Sequence, residues 1–141
     1  MRFVGFAALV IVALVSCVGK PPELAGTWVL DPSSRIQVPV SFNKTSTSVV
    51  LNKDGTFIAS SLPGFFLFPP NSIQLGGGTG TWELVTREGH QQVRLTFETT
   101  TINEKRPFGS YLYVASGLSG LRLFYFIGDP DDGQRVELVR K

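Results

Sequence analysis

The chain has one cysteine and one histidine in 141 residues, and those scarcities remove whole classes of chemistry. With a single thiol, no disulfide can form within the molecule, so a folded domain must be held by packing. The one imidazole, His90, cannot build a histidine metal centre, and beside Gly89 it reads as an exposed turn residue. Ser-His-Asp and Cys-His arrangements fail for want of a base or thiol partner, so no enzyme activity is expected. Nor is there any block of like charge, with thirteen Lys and Arg set against eleven Asp and Glu. Nucleic-acid binding wants a basic stripe that displaces counterions, and it is not expected here. No cofactor and no metal are expected either.

What is present begins with a leader. Met1 and Arg2 precede residues 3–15 (FVGFAALVIVALV), which carry no charged side chain. This is the layout of a secretory signal peptide. As a helix the run spans roughly 20 Å, short of the ~30 Å hydrocarbon core of a bilayer. Leu14-Val15-Ser16-Cys17 resembles the bacterial lipobox. That resemblance implies cleavage before Cys17, a lipid anchor on its thiol, and a membrane as partner. Two or three acyl chains anchor stably where one does not. Val18, not aspartate, follows the cysteine. The resemblance then implies an outer-membrane location facing the periplasm if the source has two membranes. The expected organisation is a signal peptide over 1–16, a lipidated tether over 17–23 stiffened by Pro21 and Pro22, and a β domain over 24–141.

Strand signals recur along that domain, and no long helical period competes with them. The expected strands are 26–30, 48–52, 56–60, 79–86, 91–99, 110–115, 121–127 and 134–139. Turns at Lys53-Asp54-Gly55, 87–90 and 116–120 join them into hairpins. Alternation puts Val93, Leu95 and Phe97 on one face with Trp82 and Leu84, and Arg94, Thr96 and Glu98 on the other. Residues 121–127 (LRLFYFI) are apolar on both faces after Arg122, so the outer side needs a cover. The fold class is all-β, an antiparallel barrel of about eight strands, with an open sandwich as second choice.

Residues 21–28 (PPELAGTW) resemble the start of a lipocalin, a short turn leading into a Gly-x-Trp first strand. The resemblance implies an eight-stranded up-and-down barrel whose narrow end the tryptophan closes. Residues 51–57 and 80–84 are similar to small lipocalin-like bacterial lipoproteins, among them envelope stress lipoproteins. The Thr-Asp-Tyr turn and the Cys-x-x-Cys pair of those groups are absent, and the late arginine of the lipocalins has two candidates, Arg135 and Arg140. Gly-Thr-Trp-x-Leu occurs at 26–30 and again at 80–84, as in two strands beginning at the same barrel end or an internal duplication.

Glu83 and Glu98 read as outer-face partners of Arg94. Asp129, Asp131 and Asp132 lie in a Pro- and Gly-containing turn whose chemistry is that of turns, although their oxygens are also Ca²⁺ ligands in kind. Residues 62–75 (LPGFFLFPPNSIQL), followed by Gly76-Gly77-Gly78, are the least expected segment. Such a patch reads as a plug or cover of the barrel, or as a lid over an apolar cavity with the glycines as its hinge. The expected function is non-enzymatic binding of a small apolar ligand or lipid in the barrel mouth. Its candidate lining is Trp28, Phe57, Phe65, Phe66 and Phe68. The alternative is a protein-interaction module, an inhibitor or envelope-assembly lipoprotein, that meets an envelope protein through the 62–75 loop.

Overall fold

A computed structural model describes residues 23–34, 46–63, 75–101, 108–127 and 129–141. Its strands are β1 (Gly26–Leu30), β2 (Ser48–Leu51), β3 (Thr56–Pro63), β4 (Leu75–Arg87), β5 (His90–Thr100), β6 (Phe108–Gly117), β7 (Gly120–Phe126) and β8 (Arg135–Arg140). Each pairs antiparallel with the next, and β8 returns to β1 through Trp28↔Arg140, Val29↔Val139 and Leu30↔Leu138. The sheet is therefore a closed barrel, not an open sandwich. Closure satisfies the edges that an open sheet would leave unpaired.

Period-two alternation sorts the side chains. Val93, Leu95 and Phe97 of β5, Leu123 and Tyr125 of β7, and Val136 and Leu138 of β8 all point inward and are buried. Trp82 and Leu84 pack partly buried against the same core, as their pairing with Leu95 and Val93 requires. On β3 the phase changes. Ala59 and Leu62 are both buried although three positions apart, because the register shifts between them at Ser61, whose φ is 53°. A bulge of this kind adds one residue and bends the strand, which a small barrel needs at its corners.

Gly76, Gly77 and Gly78 do not form a hinge. They lie inside β4, and the physical reason is crowding. A Cβ on Gly78 would sit 2.2 Å from the Thr99 carbonyl oxygen, and one on Gly80 would sit 1.9 Å from that of Thr96. Gly80 is the cross-strand partner of both Phe57 and Phe97, whose rings meet edge to face at 4.8 Å. Gly80 is the small position that leaves room for two large ones.

The repeated Gly-Thr-Trp runs also differ from expectation. Their strands do not begin at the same barrel end, because β1 runs away from the end where Gly26 pairs with Leu51 and β4 runs towards it, although Gly26, Leu51, Phe57 and Gly80 fall in one cross-strand row. That end is closed by tight turns at 52–55, 88–89 and 118–119, while the connections from 31 to 47, 63 to 75 and 100 to 108 all join strands at the opposite, open end.

Replacing Gly80 with alanine should cost at least ~2 kcal/mol of unfolding free energy, because the overpacked atom is backbone and cannot move aside. Gly117→Ala, where a Cβ meets nothing within 4 Å, should stay within about 0.5 kcal/mol of the parent. Urea denaturation midpoints of the two variants would check the contrast.

Candidate functional site

Cys17, Phe65, Phe66 and Phe68 lie outside the described residues. Trp28 and Phe57 lie within them, and both are core. Trp28 is 0 % and Phe57 1 % exposed. Both side chains are packed into the core. Trp28 instead seals the closed end. Its indole Nε1 donates to the Leu24 carbonyl at 2.9 Å. The Arg140 guanidinium lies 5.2 Å over its ring and donates to the carbonyls of Glu23 and Ala25. Of the two candidates for the late arginine, Arg140 is the one that meets the tryptophan.

The opening in the wall lies elsewhere, between β6 and β7. These strands pair from Gly117↔Gly120 as far as Tyr113↔Phe124. Beyond that point β6 continues alongside β5, from Leu112↔Val93 to Phe108↔Phe97, and β7 continues alongside β8 to Phe126↔Arg135. The β6–β7 ladder does not extend along this stretch. There the wall carries a cleft of ≈ 340 Å³ lined by Gly109, Ser110, Tyr111, Tyr113, Tyr125, Phe126 and Pro130.

Aromatic packing ends the cleft below. Tyr113 and Phe124 stack at 5.2 Å, and Phe126 meets each edge-on, at 5.4 and 5.5 Å. The Arg135 guanidinium lies 4.8 Å over Phe124, and that of Arg87 5.6 Å over Tyr111. This sheath is the cover that the outer side of 121–127 required. On the inner side burial pushes the Tyr125 phenol well above its ordinary pKa. Gln92, between Val85 and Tyr113 on the outer wall, is 4 % exposed, and its Oε1 has no hydrogen-bond partner.

An ion cluster braces the β7–β8 side. Arg122 bridges Asp31, at 2.9 Å, and Glu137, which also meets Arg135 at 2.6 Å. Asp31 Oδ1 accepts from the Ser33 hydroxyl at 2.7 Å and from its N–H at 2.8 Å. Those bonds from Ser33, aided by Arg122, hold the Asp31 carboxyl below the usual carboxylate range.

The remaining candidates have local roles. Glu83 pairs with Arg94, and Glu98 is exposed. His90 is exposed, with its ring 6.1 Å from that of Tyr113. Asp129 caps a 3₁₀ turn over Pro130–Asp132 by accepting from the Asp131 N–H at 2.9 Å, and Gly133 closes that turn at φ 66°. Among the described residues no three carboxylate, imidazole or thiol groups gather in a way that could hold a cation. The cleft brings together apolar ring faces, phenolic hydroxyls and a nearby guanidinium. That set suits an apolar or planar group carrying a polar edge.

Sequence reasoning missed the cleft. Its one signal was the double-sided apolarity of 121–127, beside two tyrosines at alternate positions in 110–115. Compared with known proteins, the chain matches no family model, no curated protein and no solved structure.

Because its folded-state pKa is lowered, Asp31 contributes stability that is complete above about pH 4 and is lost as pH falls through the folded value. Asp31→Asn should therefore flatten the loss of stability between pH 7 and pH 3 in denaturant titrations. An unchanged pH dependence would show that the cluster does not govern it.

Proposed function

We propose that the protein is a lipid-anchored envelope lipoprotein, tethered through Cys17, that binds a small apolar ligand or lipid without transforming it. In a source with two membranes it would sit in the outer membrane facing the periplasm. Binding takes place at the parted wall near the barrel mouth, where Tyr111, Tyr125 and Phe126 take the place of Trp28 and Phe57 as lining residues. The observation that carries the reading is the separation of β6 from β7 above Tyr113↔Phe124, where the wall carries an aromatic cleft. The filled closed end argues for a shallow site that takes one chain end or ring, not a deep one that engulfs a ligand.

The interaction-module reading keeps one observation in its favour. The connection from Pro63 to Leu75 joins β3 to β4 at the open end, opposite the point where the tether meets the barrel. A partner approaching from the aqueous side would meet that end first. Loss of a cross-linked envelope partner on Phe66→Asp supports this second reading, and retention of the partner removes it.

The cleft itself is tested by filling it. Gly109 lies on its lip, and a Cβ there meets only the Leu95 carbonyl oxygen, at 3.9 Å. Gly109→Phe should lower binding of a fluorescent apolar naphthylamine probe at least tenfold and leave the melting temperature within a few degrees. Undiminished probe binding by a folded Gly109→Phe protein would place the site elsewhere.

A further inference from the structure

The closed end of the barrel carries a feature that neither the core nor the turn geometry requires. The three tight turns there are 52–55, 88–89 and 118–119. Two are built from polar residues and glycine, Lys53-Asp54-Gly55 and Glu88-Gly89. The third, between the paired Gly117 and Gly120, puts Leu118 at its tip, fully exposed. Gly120 takes the left-handed conformation of this hairpin, at φ 97°, and Leu118 does not, so the backbone admits many residues at 118 and does not require leucine. Among the described residues, the other exposed large apolar side chain is Ile58, on the barrel wall.

Leu118 shares this end with the start of the described chain. Glu23 and Ala25 lie under Arg140, at the foot of β1. From Cys17 to Glu23 the chain reaches at most ~20 Å even when extended. An anchor on Cys17 therefore holds this end of the barrel within one tether length of the bilayer. At the opposite end Asp129, Asp131 and Asp132 are exposed. Near the tether, Lys53, Arg87, Arg140 and Lys141 accompany Glu23, Asp54 and Glu88, so carboxylates do not dominate there.

We infer that the tip of the β6–β7 hairpin, at Leu118, is a second point of membrane contact that seats the closed end of the barrel on the bilayer. The inference rests on the lipid-anchor reading above and deepens it. One leucine cannot hold a protein to a membrane. It can orient a protein that a tether already keeps at high local concentration against one. Its consequence is directional. The cleft, the open mouth and the connection from Pro63 to Leu75 face away from the anchoring membrane, so ligand or partner arrives from the aqueous side.

The test uses the acylated protein reconstituted in vesicles of phosphatidylethanolamine and phosphatidylglycerol. With Cys17 acylated, Leu118→Cys supplies the one free thiol for a polarity-sensitive fluorophore, and Asp131→Cys supplies the matched label at the far end. Brominated acyl chains should quench the label at 118 at least threefold more than the label at 131, and emission from 118 alone should shift to the blue. Equal quenching at the two positions, with intact mass confirming acyl chains on Cys17, would overturn the seating and leave the anchor standing. An unmodified Cys17 in that mass measurement would overturn the anchor, and the seating with it.

Discussion

Closure of β8 onto β1 is the constraint on which the other features depend. Once Trp28 pairs with Arg140, the sheet has no free end, and every inward side chain must fit one narrow interior. Large rings then need small opposite numbers. Phe57 and Phe97 fit because Gly80 stands between them, and the strand bends where Ser61 takes a left-handed conformation. Trp28 closes one end under Arg140, and the glycines of β4 allow the strands to pack closely towards the other. A barrel of this size can be filled by its own side chains, and the buried core of this one is built that way.

The wall parts where inner and outer demands conflict. Residues 121–126 present apolar groups to both sides, so β7 must be covered on its outer face as well as its inner one. Tyr113, Phe124 and Phe126 provide that cover by packing on each other, with Arg135 laid across Phe124. Beyond Tyr113↔Phe124 each strand keeps only its other neighbour, and Phe126 lies between the sheath and the cleft.

Much of this order was legible in the sequence. The alternation of Val93, Leu95 and Phe97 fixed both strand and face, and 26–30 matches β1 residue for residue. The glycines at 76–78 misled, because a glycine run has the same composition whether it serves as a hinge or as a tight crossing. What separates the two is the distance to Ala59 and Thr99, residues remote in sequence. The role of Trp28 was half legible. Its place at the closed end followed from its motif, but its fully buried packing did not, since an inward residue can line a chamber or fill it. The cleft was the least legible feature, because it arises from pairing that two strands do not make, and period-two patterning carries no record of that.

The most direct test of the proposed site is a crystal structure of the protein carrying a co-purified or added apolar ligand. Density against Tyr125 and Phe126, between β6 and β7, is the expected result. Density among Trp28, Phe57 and Phe97, with those side chains displaced to make a chamber, would contradict it.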